Sequence, residues 1–306
     1  MVNTQSSQPI DYTVETDPPV YGAVQTVSPL IRRVLANNPS PFSYTGSGTY
    51  IIGHGTVAVI DPGPLLEEHI QAILAATHGE TISHMVITHT HNDHSPAAAP
   101  LKPLTGAQIV GCATIFVADD GAPRSDAAFD LSYAPDHVMT DCETITGPGW
   151  TLEAVATPGH TSNHMCFALR QERALFTGDH VMGWSTTVIA PPDGDMADYF
   201  ASLRKLLDRD DVRYYPTHGK PVEKPKALVR ALIAHRKQRE GQIMRYLGDG
   251  PATIPSMVAH MYASTAKILH GAAGRSVLAH LIDMERRGLV QHDGENFSLV
   301  SCAAGS

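Results

Sequence analysis

Three histidines and an aspartate crowd into "THTHNDHS", residues 88–95. Neutral imidazole nitrogens and carboxylate oxygens are donors that zinc and similar borderline ions accept. His89 and His91, two apart on an extended segment, can face one ion, while Asp93 and His94 turn toward a second. A lone histidine in such a turn is ordinarily solvated or hydrogen-bonded within a core. Four donor side chains between His89 and His94 favour metal binding instead.

Such a turn needs a rigid platform. The preceding "HMVIT" (His84–Thr88) is apolar and β-prone until its polar end, which predicts a buried strand running into an ordered loop. Ser95 is placed to cap a helix beginning at Pro96. Functional groups gather at such strand ends in open α/β sheets. Three further strand ends supply matching residues: His160 in "TPGHTSNH", Asp179 in "FTGDH" and His218 in "PTHG". Singly, each reads equally well as a turn residue bonded locally. Together, in this order, they complete a set of five His and two Asp. Two ions sharing a bridging carboxylate would each reach four protein ligands and leave room for water. Such a pair generates hydroxide at neutral pH and polarises the bond under attack, which is hydrolytic chemistry.

The chain has 306 residues, 42% hydrophobic and 17% charged, enough for one large domain and a small one. No apolar run approaches the ~20 residues of a membrane span. The N-terminal stretch lacks the basic start and apolar core of a secretory signal, and the first basic residue is Arg32. Four scattered cysteines form no C-x-x-C pair, which predicts neither a disulfide framework nor a thiolate zinc site and fits a cytoplasmic setting. The net charge of −9 is uneven. Residues 1–218 carry 10 Lys/Arg against 24 Asp/Glu, and residues 219–306 carry 12 against 7.

The pattern changes at the same place. Strands are expected through Val212–Gly219, with residues 118–149, rich in Asp, Gly and Pro, as a surface excursion. Beyond Val222 the chain reads as a long amphipathic helix (Pro225–Leu247), two shorter helices and a hairpin turning at Asp293–Gly294. The expected organisation is a loosely ordered segment over 1–25, a catalytic domain over 26–221 and a winged-helix-like domain over 222–306.

"HTHNDH", "TPGHT", "FTGDH" and "PTHG" resemble, in order, the metal motifs of the metallo-β-lactamase superfamily. The resemblance implies an α/β fold, a four-layer αββα sandwich with a dinuclear site at one edge. It assigns His89, His91 and His160 to one ion, and Asp93, His94 and His218 to the other. Asp179 bridges, and Asp61 in "IDPG" supports the site from behind. The resemblance also implies that Asp93 and Asp179 are the catalytic carboxylates. Two divalent ions are implied, zinc first, with manganese or iron accepted by the same donors. Longer stretches, including "NNPSPFSYTGSGTYIIG" and "SVLAHLIDMERRGLV", resemble the beta-lactamase-like protein 2 subfamily, which carries a C-terminal winged-helix-like domain. Where the commonest zinc β-lactamases have Cys, this chain has Asp179, so antibiotic hydrolysis is not implied.

Two substrate classes compete. The subfamily resemblance suggests endonucleolytic cleavage of single-stranded RNA, with Arg236, Lys237 and Arg239 in "HRKQR" contacting phosphates. A solvated helix face is the plainer reading of those cations. The alternative is a small thioester, ester or lactone, as in glyoxalase II-like relatives, which an acidic catalytic face does not hinder. A winged-helix DNA-binding regulator fits worst, because the wing "HDGEN" carries two acids and no Lys or Arg. The C-terminal domain is expected to shape the substrate groove or mediate self-association into a homo-oligomer.

Overall fold

The computed structural model describes residues 10, 12–13, 15–115 and 129–300. A seven-stranded sheet is built, in spatial order, from β1 (Val24–Thr26), β2 (Ile31–Leu35), β3 (Gly48–Ile52), β4 (Thr56–Ile60), β5 (Thr81–Ile87), β6 (Gln108–Gly111) and β7 (His137–Val138). A second sheet of five strands holds β8 (Thr144–Gly147), β9 (Trp150–Ala156), β10 (Met165–Leu169), β11 (Ala174–Gly178) and β12 (Arg213–Pro216), ordered β12-β11-β10-β9-β8. The helices are α1 (Glu67–Ala76), α2 (Ala98–Thr105), α3 (Met196–Asp208), α4 (Pro225–Gly248), α5 (Ile254–Met261) and α6 (His270–Arg286). The hairpin β13 (Val290–Asp293) and β14 (Asn296–Leu299) closes the described chain.

Alternation along the second sheet explains the layering. Phe167 and Leu169 of β10 join the core shared with the first sheet, whereas Cys166 and Ala168 point to α3 and α4. Phe176 and Leu175 of β11 divide in the same way. A strand buried on both faces must be apolar throughout, which is why β10 and β11 read as continuous hydrophobic runs. Ile70 and Ile73 of α1 and Leu101 of α2 cover the first sheet from outside. The result is the expected αββα sandwich.

A third core belongs to the C-terminal region. Ile243 and Leu247 at the end of α4 pack with Met257, Val277, Leu281, Met284 and Phe297. Three helices with a hairpin match the expected winged-helix pattern. The two-residue turn is Gly294–Glu295, one position later than expected, since Asp293 pairs with Asn296 and Gly294 takes φ 58°.

Two local expectations need correction. Ser95 does not cap a helix at Pro96: α2 begins at Ala98, and the Ser95 hydroxyl donates to Asp130 at 2.8 Å. The hydroxyl that would cap a helix at Pro96 is taken by Asp130 instead. The excursion over 118–149 lies partly outside the described residues, and its later part holds β7 and β8, the edge strands through which the chain passes between sheets. The described part of the N-terminal segment is tied down, with Thr13 N–H bonded to the Gly183 carbonyl and Glu15 N–H to the Tyr44 hydroxyl. Among the described residues no helix is long and apolar enough to cross a membrane.

Candidate metal centre

β9 and β11 run the same way on either side of antiparallel β10, and β12 lies parallel to β11. Their C-terminal ends therefore share one edge, and deliver His160, Asp179 and His218 there. β5 of the facing sheet delivers the 88–94 turn to the same place. Gly178 enables the close approach, since a Cβ there would stand 2.7 Å from His164 Nε2 and 2.9 Å from Thr88 Oγ1.

All seven donors predicted from the sequence converge, in two groups. His89, His91, His160 and Asp179 form one, and Asp93, His94 and His218 the other, with the donor atoms of each within 4.8 Å of one another. Asp179 joins them. Its Oδ2 lies 3.7 Å from His160 Nε2, and its Oδ1 lies 3.5 Å from His94 Nε2 and 3.3 Å from His218 Nε2. Asp93 Oδ2 is 3.1 Å from His218 Nε2, and Asp93 is the most open member, with a side chain 31% exposed.

The imidazoles are locked from behind. His94 Nδ1–H donates to Asp61 Oδ2 at 2.8 Å, His218 Nδ1–H to the Gly46 carbonyl at 3.1 Å, and His160 Nδ1–H to the Val188 carbonyl at 2.7 Å. His89 Nδ1–H donates to Thr88 Oγ1, which itself donates to Asp61. Each of these four rings consequently points Nε2 into the cluster, a metal-binding lone pair wherever that nitrogen carries no proton. His91 turns its Nδ1 inward, 3.0 Å from His89 Nε2 and 3.2 Å from His160 Nε2. One proton on His91 Nδ1 satisfies these facing nitrogens only in part, whereas a cation among them is met by all three. His94 Nε2, His218 Nε2 and Asp179 Oδ1 are buried without a hydrogen-bond partner. Buried nitrogen and carboxylate atoms that converge without hydrogen-bond partners in this way fit divalent metal ions.

Asp61 sits where the resemblance put it. Its carboxylate accepts from Thr88 N–H, Thr88 Oγ1, His94 Nδ1 and Thr217 Oγ1, at 2.8–3.0 Å. It holds φ at 47°, a left-handed conformation that Asp tolerates better than most side chains. Sequence reasoning missed His164 as a contributor, although it ends the quoted "TPGHTSNH". The His164 ring accepts the Asp179 backbone N–H at 3.3 Å and contacts Thr157 Oγ1 at 3.0 Å, so it places the bridging residue.

Charge balance sets the pH behaviour. Burial and the neighbouring imidazole of His160 push His91 down to about 3. Burial opposes a charge on His218 as well, but Asp179 and Asp93 outweigh it and raise the ring to about 10. Burial favours the neutral acid for both carboxylates, yet His94 and His218 hold Asp93 and Asp179 below the usual range. Without metal, protons on His94 and His218 balance these carboxylates. Metal must displace them, so its apparent affinity should rise with pH up to about 10, where the His218 proton leaves unaided. Calorimetry in two buffers of different ionisation enthalpy should read net proton release at pH 7. Zero release would contradict this charge balance.

The C-terminal helix is placed differently from expectation. Arg236 is only 3% exposed, because it lies on the buried stripe of α4 with Leu232 and Ile243, and it cannot contact a phosphate. Arg239 is half-buried, with its guanidinium carbon 4.5 Å from the Tyr262 ring centre. Of the three, Lys237 alone is exposed.

This fold and this ring of strand-end donors are those of a metal-dependent hydrolase. The metallo-beta-lactamase superfamily profile matches residues 45–218, and the profile of the beta-lactamase-associated winged helix domain matches 253–298. The chain belongs to the metallo-beta-lactamase superfamily. It is 32% identical to a beta-lactamase-like protein 2 homolog of Caenorhabditis elegans, over 88% of each chain. An atrochrysone carboxyl ACP thioesterase of Aspergillus fumigatus is 33% identical over 72% of this chain and 66% of its own. Among solved structures, a beta-lactamase domain protein from Burkholderia ambifaria superposes with a TM-score of 0.76 at 18% identity, covering 95% of this chain and 97% of its own.

Proposed function

We propose that the chain hydrolyses acyl thioesters, with the acyl group held between aromatic walls beside the metal positions. The observation that carries this reading is the pair of walls. Phe129 lies 4.8 Å from the His91 ring, beside the first group of donors. On the second side Tyr44 stacks on Trp184 at 4.7 Å and 12°. Trp184 packs against Gly219, next to His218, where a Cβ would come within 2.9 Å of the indole. These half-buried rings offer apolar faces to a substrate rather than charge.

Two divalent ions held by the two groups of donors would acidify a water and polarise the scissile carbonyl. The chain's residues do the rest. Asp179, with one oxygen toward each group of donors, would hold both ions in register. Asp93 is ionised, faces the opening and can take a proton from the attacking water. A thiol has a pKa of ~8.5, so the leaving group departs as thiolate without a protein acid. The thioesterase relative supports this choice of bond. Cleavage of single-stranded RNA, the other expectation, retains only Lys237 of its three helix cations.

The test is a panel of benzoyl, acetyl and long-chain acyl thioesters, a lactone and a single-stranded RNA, assayed with metal-loaded protein. Aromatic acyl thioesters should give the highest kcat/KM. RNA cleavage without thioester turnover would overturn the reading. Within that panel, Trp184→Ala should raise KM for the benzoyl thioester about 3–10-fold, the equivalent of one stacked aromatic pair at ~0.5–1.5 kcal/mol. The acetyl thioester should be affected less, and kcat little for either.

A further inference from the structure

Arg236 is a buried cation that makes no contact with the metal donors, and burying a charge is costly unless its hydrogen bonds are supplied. Its Nη2 donates to the Thr187 carbonyl at 2.6 Å, and its Nη1 to Ser276 Oγ of α6 at 3.2 Å. The guanidinium carbon stands 5.3 Å above the Tyr199 ring of α3. Arg236 thus joins α4 and α6 to the loop following Asp179.

That loop reaches the metal centre in one step. Thr187 Oγ1 lies 3.0 Å from His160 Nδ1, and the next residue, Val188, supplies the carbonyl that accepts the Nδ1 proton at 2.7 Å. Gripping the Thr187 carbonyl fixes the peptide plane between Thr187 and Val188, which adjoins the plane carrying the Val188 carbonyl. The Val188 carbonyl is the only one of the two acceptors with no proton of its own, so its direction sets the tautomer and aim of His160.

We propose that Arg236 is a positioning residue for the first metal position: through the Thr187–Val188 backbone it holds His160 with Nε2 facing the ion. The region carrying α4 and α6 is on this account part of the metal centre's scaffold. The proposal rests on the reading of His160 as a metal ligand. Groups behind a ligand typically alter metal affinity 10–100-fold when lost.

The test is stepwise Zn2+ binding to the full chain by chelator competition, for wild type, Arg236→Met, Arg236→Lys, His160→Ala and the double variant Arg236→Met/His160→Ala. Ser276→Ala serves as the structural control, since it removes Arg236's other hydrogen bond without touching Thr187. Arg236→Met should weaken one of two binding steps about 10–100-fold. Arg236→Lys should recover part of that loss, and Ser276→Ala should leave both steps unchanged. In the His160→Ala background Arg236→Met should add nothing, because the two act through one path. Equal weakening in both backgrounds, or no weakening in Arg236→Met, overturns the proposal. If Arg236→Met does not fold, Arg236→Lys in the same two backgrounds decides by the same criterion. A wild-type chain that binds no Zn2+ overturns the metal reading itself, a result distinct from either.

Discussion

Replacing Asp179 with Ala should lower kcat/KM by at least about 10³-fold, roughly 4 kcal/mol of transition-state stabilisation. Among the described residues, Asp179 is the one whose two oxygens face different donor groups, Oδ2 toward His160 and Oδ1 toward His94 and His218. Its removal leaves three neutral donors on one side and strands the other group without its shared anion. The bound metal should fall from two equivalents to one. The fold should persist, because Asp179 follows β11 in a loop and contributes no apolar core. Elemental analysis of the purified variant, with the thioester assay, measures both effects. Two retained equivalents and activity within tenfold of wild type would show that Asp179 bridges nothing.

The second large effect should come from Asp61→Asn. Asp61 is 1% exposed, and its Oδ2 alone faces His94 Nδ1, Thr88 Oγ1 and Thr217 Oγ1. An amide nitrogen in that position cannot accept from any of them, and an amide oxygen there leaves the Thr88 N–H facing an NH2 group. Breaking a buried charged pair on one side typically costs about 3–5 kcal/mol. Asn tolerates the left-handed φ at this position, so the loss is assignable to the side chain. Urea unfolding of metal-free protein should show the loss in full, and affinity at the second metal position should also fall as His94 loses its orienting partner. An unchanged unfolding midpoint would remove Asp61 from the account.

The donors were legible in the sequence because strand ends announce themselves. "MVIT", "LFTG" and "YYP" are largely apolar runs that stop directly before a donor or one residue short of it. The metal turn itself needs residue types that serve no apolar core. His164 was harder to see because it bonds to a backbone N–H, which leaves no pattern in side-chain chemistry. Arg236 was misplaced for a different reason. Its charge suggested solvent, yet the spacing Leu228, Leu232, Arg236, Ile243 and Leu247 follows the helical repeat of the buried face. Periodicity outweighed charge there, because neutral oxygens and the Tyr199 ring wait opposite. The aromatic walls could not be read at all. Tyr44 and Trp184 lie far apart in sequence and stack only in the fold, and Phe129 reaches the His91 ring from a third segment.

The central claim is that two ions lie on either side of one carboxylate. An anomalous difference map from crystals of the zinc-loaded protein, collected at the zinc edge, tests it most directly. Two peaks about 3.5–4 Å apart are predicted. One should be ringed by His89, His91 and His160, the other by Asp93, His94 and His218, with an oxygen of Asp179 on each. A single peak, or two peaks with Asp179 bound to neither, would contradict the account.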